Sequence, residues 1–159
     1  MVSYVVIGAS RGIGLGFVQA LSSDPENIVF ASVRNKSTTT QLRDFVNSEA
    51  NKHKNVVVLE ADLNDYKSLK TAAKEVSKAT QGELDVLINN GALFYHERGR
   101  LTMDSYPDEE TLENDLLSFF KTNVVGTTHA INAFISSSPR WKNEEGPGCI
   151  VFHGLSKRH

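Results

Sequence analysis

Three glycines in one turn carry the clearest chemistry in this chain. Val5-Val6-Ile7 is an apolar run, and Gly8-Ala9-Ser10-Arg11-Gly12-Ile13-Gly14 follows it. Phe17, Val18 and Leu21 then recur at helical spacing. The pattern reads strand, tight turn, helix, with the helix N-terminus opening out of the turn. Free backbone N–H groups and the positive end of the helix dipole gather there, and both favour phosphate. Gly8 suits the tight turn, Gly12 lets the backbone approach a pyrophosphate, and Gly14 lets helix pack on strand. The ligand this implies is a dinucleotide.

Other residues could add to such a site. Arg11 and Arg34 are cations near its start, and two guanidiniums can grip a phosphate through charge-assisted bonds. Asp62-Leu63 and Asn89-Asn90-Gly91-Ala92 end two later apolar runs. Asn123 and Gly126 interrupt an apolar helix pattern, where both lower helix propensity and so require a reason. Tyr66-Lys67-Ser68-Leu69-Lys70 has residue types suited to proton transfer, and Tyr95 and His96 suit a substrate or surface loop. No metal site is expected.

The elements that must position these residues alternate. Strands are expected at Tyr4–Ile7, Ile28–Val33, Val56–Leu59, Val86–Ile88 and Cys149–Phe152. Their nearly continuous β-branched character predicts a parallel sheet covered on both faces. Helices are expected at Gly14–Leu21, Ser37–Lys52, Tyr66–Ala79 and from about Glu109 to Ile135. The last carries the apolar stripe Leu112, Leu116, Phe119, Phe120, Val124, Ile131 and Phe134. Alternating strands and helices predict right-handed crossovers and a doubly wound α/β sheet.

The chain has 159 residues, enough for one domain, with a net charge of −2 and one cysteine, Cys149. The charge argues against nucleic acid or an anionic membrane as partner. No apolar run reaches membrane-spanning length, and no targeting peptide is apparent. A lone cysteine suits a reducing compartment, so a cytoplasmic location is expected, with Cys149 a buried thiol.

The spacing Gly8-x-x-x-Gly12-x-Gly14 resembles the cofactor loop of the short-chain dehydrogenase/reductase family, with Ile7 where that family usually carries Thr. Asp62-Leu63 matches the family's Asp and apolar residue beside the adenine. Asn89-Asn90-Gly91-Ala92 resembles its Asn-Asn-Ala-Gly with the last two residues exchanged. Asn123-Val124-Val125-Gly126 resembles the run that holds its catalytic Asn. The resemblance covers residues 1–135, with 136–159 divergent. It implies a Rossmann-type sheet of order 3-2-1-4-5, in one NAD(P)-binding domain over 1–159.

It also implies a site. Gly8, Ser10, Arg11, Gly12, Ile13, Gly14, Arg34, Asp62, Leu63, Asn89 and Gly91 would serve the cofactor, and Asn123 would hold a relay water. The end of the second strand meets the adenosine ribose in this fold; an Arg there favours NADP over NAD. A ketoreductase acting on a small carbonyl or alcohol substrate is implied. Tyr66 lies on the adenine side, away from the reacting carbon. The family's catalytic Tyr and Lys follow its Asn, whereas no tyrosine follows Asn123 here, and Ser156 is out of register with the family serine. The chain is therefore read as truncated after the fifth strand and inactive alone. The alternatives are a non-catalytic dinucleotide-binding module, or a homo- or hetero-oligomeric partner of longer homologues through the fourth helix.

Overall fold

The computed structural model describes residues 1–94, 102–138 and 149–151, the last three by their backbone. Five strands form one parallel sheet: β1 (Val2–Ile7), β2 (Asn27–Val33), β3 (Val56–Glu60), β4 (Val86–Asn89) and β5 (Cys149–Val151). Their order is β3-β2-β1-β4-β5. The order reverses beside β1, which is where open α/β sheets leave a crevice at the carboxyl ends of their strands.

The helices are α1 (Gly12–Leu21), α2 (Thr40–Val46), α3 (Tyr66–Ala79), α4 (Glu109–Phe119) and α5 (Thr127–Ser137). Alternate residues of β1 serve opposite cores. Val5 and Ile7 join Leu69, Ala72, Val76, Ala130 and Phe134 on one face. Val6 joins Val18, Leu42 and Ile88 on the other. The period-two alternation of a strand thus feeds two layers of helix, and this double burial explains why β1 and β2 read as nearly continuous apolar runs.

Two helices differ from expectation. The second is shorter than Ser37–Lys52. At its start Thr39 Oγ1 donates to the Asn35 carbonyl at 2.7 Å, and the Ser37 amide donates to Asn35 Oδ1 at 2.8 Å. At its end Asn51 Nδ2 donates to the Val46 carbonyl at 3.0 Å. These side chains offer the backbone alternatives to helix at both ends.

The fourth helix runs past Ile135 but is not α-helical throughout. Residues Phe120–Gly126 form a π-helical segment between α4 and α5. Each residue there advances less around the axis, so the stripe does not stay on one face. Phe134 is buried, and Ile131 packs against the core. Leu116, Phe120 and Val124 instead face outward, together with Leu117. The inward positions between them are Asp115, Thr122, Gly126 and Thr127.

Candidate functional site

A cleft of about 620 Å³ opens at the carboxyl end of the sheet. Its floor is the β1 turn. Gly8 adopts φ +79°, and a Cβ on it would stand 2.7 Å from Gly91 Cα. Gly14 packs so tightly that a Cβ would stand 2.1 Å from the Gly8 carbonyl oxygen. Gly12 has φ +59° with open space where a Cβ would be. Close packing therefore demands glycine at 8 and 14, whereas backbone conformation demands it at 12. Arg11 is the N-cap of α1 and its side chain makes no capping bond, so the first turn keeps donors for a ligand.

One wall comes from the end of β3. Asp62 Oδ1 accepts from the Asn64 amide at 2.9 Å, and Ser68 Oγ accepts from the Asp62 amide at 2.9 Å. Asp62 is thereby held at the cleft while Asp65, three residues on, caps α3 by accepting from the Lys67 amide. The two acidic residues divide the roles between them.

The helical wall docks on this segment. Thr122 Oγ1 donates to Asn64 Oδ1 at 3.1 Å. A Cβ on Gly126 would stand 2.6 Å from the Leu63 carbonyl oxygen, so only glycine lets the helix approach this closely. Asn123 does not itself line the cleft but braces Leu93, which does. Its Oδ1 accepts from the Leu93 amide at 2.7 Å and its Nδ2 donates to the Leu93 carbonyl at 3.1 Å. One carboxamide thus satisfies both backbone groups of Leu93 and ties the segment after β4 to the helix. The π-helical segment carries both anchors, Thr122 and Asn123, and such segments frequently occur at functional sites.

Comparison with known proteins places this arrangement. The family model described as short chain dehydrogenase matches residues 3–154. The chain belongs to the short-chain dehydrogenase family. It is 40% identical over 140 residues to the short chain dehydrogenase virK of Hypocrea virens, covering 85% of this chain and 49% of that protein. It is 41% identical over 135 residues to the short-chain dehydrogenase/reductase iacC of Pestalotiopsis fici, covering 83% and 48%. An NADPH-bound carbonyl reductase from chicken fatty liver superposes with a TM-score of 0.65 at 31% identity, over 85% of this chain and 47% of that one. The chain spans about half the length of the curated relatives it matches.

Within this short-chain dehydrogenase fold, Gly8, Ser10, Arg11, Arg34, Asp62, Leu63 and Gly91 line the cleft together. Gly12, Ile13 and Gly14 belong to the first turn of α1 beneath it, with Ile13 exposed. Asn89 does not line the cleft: it is buried in β4, beside Ile7 of β1. Asn90 lines it instead, and its Nδ2 donates to the Gly8 carbonyl at 3.2 Å. Asn64, Ser118, Lys121 and Thr122 are further lining residues that sequence reasoning missed.

Tyr66 opens α3 and its side chain meets α5. Its hydroxyl accepts from Asn132 Nδ2 at 3.2 Å, its ring centroid is 4.8 Å from that of His129, and Lys70 Nζ lies 5.4 Å from the ring. Neither Tyr66 nor Lys70 lines the cleft. Tyr95, His96 and Ser156 lie outside the described residues. Among the described residues no helix is long and apolar enough to cross a membrane, and no group of three metal-ligating side chains is present.

Proposed function

We propose that this chain is the dinucleotide-binding half of an NADP-dependent carbonyl reductase of the short-chain dehydrogenase family, and that alone it binds NADP(H) without turnover. One observation carries the cofactor reading. Ser10, Arg11 and Arg34 line both the main cleft and an adjoining hollow of about 350 Å³, whose other lining residues include Asn35, Thr38 and Thr40. The hollow therefore offers two guanidiniums and several hydroxyls, a set suited to a phosphate monoester. Among the described residues no carboxylate lines it. A 2′-hydroxyl alone would leave these cations unmatched.

The rest of the cleft fits the same ligand. The glycine turn and the uncapped first turn of α1 suit a pyrophosphate, and the Asp62 carboxylate offers an acceptor suited to an adenine amino group. Bound there, the nicotinamide would supply hydride transfer to a carbonyl carbon or from an alcohol carbon. Asn123 holds the Leu93 segment, which lines the cleft. Proton transfer needs a donor within hydrogen-bond reach of the reacting oxygen. No tyrosine follows Asn123 in this sequence, and Tyr66 is engaged elsewhere. Binding without turnover is the consequence.

The exposed side chains of Leu116, Leu117, Phe120 and Val124 favour a second role beside cofactor binding. They form an apolar face on the helical wall, which supports association with another copy or with a longer homologue.

Titration with NADPH and NADH, read by nicotinamide fluorescence, tests the reading. Tighter binding of NADPH, with no consumption of it when carbonyl compounds are added, supports the proposal. Absence of binding to either, or sustained carbonyl reduction by the isolated chain, overturns it.

A further inference from the structure

Lys121 belongs to none of the motifs that mark the cofactor site. It stands in the π-helical segment, one residue before Thr122, and lines the same cleft as Arg11 and Arg34. Lys121 is exposed, but the backbone that carries it is fixed. Thr122 is bonded to Asn64, and Gly126 meets the Leu63 carbonyl, so the backbone that carries Lys121 is docked against the cleft wall. Among the described residues Lys121 makes no ion pair with a carboxylate, and neither do Arg11 and Arg34.

The charge of the cleft is consequently at odds with that of the chain. Among the described residues, three cations (Arg11, Arg34 and Lys121) line it against one carboxylate, Asp62, whereas the whole chain carries −2. A cleft of one sign focuses the field and raises the encounter rate of an oppositely charged ligand. The cations come from three separate elements: the β1 turn, the end of β2 and the helical wall.

We infer that Lys121 is a third cation of the dinucleotide cleft, acting on the charge of the incoming ligand and favouring the more anionic NADP over NAD. This rests on the cofactor reading above. Lys121 has no part in the phosphate hollow, which its side chain does not line. Its effect is therefore expected in the rate of association and in its dependence on salt, while the phosphate contacts of Arg34 govern dissociation.

Stopped-flow binding of NADPH and NADH to the 159-residue chain, its Lys121→Met variant and a Lys78→Met control decides the matter. Lys78 lies in the last turn of α3 and lines a different hollow, so it makes the same change in net charge away from the cleft. At low ionic strength, Lys121→Met is expected to slow NADPH association roughly threefold to tenfold, and NADH association less. In about 1 M salt, where screening acts within ~3 Å, the difference should vanish. Lys78→Met should bind as the parent does. Unchanged association in Lys121→Met, or equal slowing in Lys78→Met, overturns the inference while leaving the cofactor reading intact. Failure of the parent chain to bind either dinucleotide overturns both.

Discussion

The carboxamide of Asn123 pairs with both backbone groups of Leu93, at 2.7 Å to the amide and 3.1 Å to the carbonyl. It does for the segment after β4 what a neighbouring strand would do, and it does so from a helix. Replacing Asn123 by Ala leaves a half-buried N–H and C=O without their partners. A loss of about 1–3 kcal/mol of stability is expected in urea denaturation. Asn123→Asp is expected to be at least as damaging, because a carboxylate can still accept from the Leu93 amide but meets the Leu93 carbonyl as a second acceptor. If Asn123→Ala melts with the parent, the pairing contributes nothing.

Four glycines in or near the first helix separate close packing from backbone conformation. Gly14→Ala and Gly8→Ala drive a methyl against backbone, at 2.1 Å from the Gly8 oxygen and 2.7 Å from Gly91 Cα, and neither contact can yield without moving the turn. Both variants are expected to unfold or to lose several kcal/mol. Gly12→Ala meets open space but keeps a left-handed backbone, at a cost of roughly 1–2 kcal/mol. Gly16, inside α1, has neither restriction, and Gly16→Ala should stabilise the chain by about 0.5–1 kcal/mol. Thermal melts of the four single variants give the order directly, and a destabilised Gly16→Ala would contradict it.

Much of this arrangement was legible because the signals were local. β1 and β2 read as strands from their β-branched runs, and the glycine turn marked the crevice at their ends. The misses have physical causes. Asn89 and Asn90 are chemically identical, and one step along a strand reverses the direction of a side chain, so only the register of β4 on β1 shows that Asn90 meets the Gly8 carbonyl. The stripe from Leu112 to Phe134 keeps helical spacing, but the π-helical segment turns part of it outward, and the low propensity of Asn123 and Gly126 marks an irregularity there without specifying a π-helical one. Lys121 enters the site only because Thr122 and Gly126 dock the helix on residues 63 and 64, a contact made far along the chain.

Acid should loosen the start of α4. Asp108 accepts from the Thr111 amide at 2.6 Å, and that bond holds its carboxyl below the usual carboxylate range. A lowered folded-state value means that the stabilisation is full above the unfolded value and is lost as pH falls through the folded one. Helicity followed by circular dichroism from pH 7 to 2 should therefore fall more steeply at the acid end for the parent than for Asp108→Asn. Asp108 is fully exposed, so the difference should be small and should shrink with salt. Identical acid profiles would remove any role for the charge.

The outward face of α4 and of the π-helical segment after it should control assembly. Phe120 and Leu117 are each 59% exposed, so charging them disturbs little of the core. Phe120→Glu combined with Leu117→Lys is expected to leave the melting temperature within a few degrees of the parent while abolishing concentration-dependent association in sedimentation. The arrangement of charges matters less than their presence, because desolvating either one at an interface is costly. A double variant that associates as the parent does would place the contact elsewhere.

Arg34 should set the preference between the two dinucleotides more than it sets affinity as such. It lines both the cleft and the hollow, and among the described residues the hollow holds no carboxylate to occupy it. A charge-assisted bond to a phosphate contributes about 1.5–3 kcal/mol, so Arg34→Ala should weaken NADPH by roughly tenfold to a hundredfold and NADH by far less. Arg34→Asp should go further and invert the order, because a carboxylate repels the 2′-phosphate while accepting from the 2′-hydroxyl of NADH. Arg11 lines the same hollow from the glycine turn, so the two arginines act on one group and their losses should not add. Equal weakening of both dinucleotides by Arg34→Ala would instead mean that the hollow reads no phosphate, and that Arg34 contributes only to the general field of the cleft.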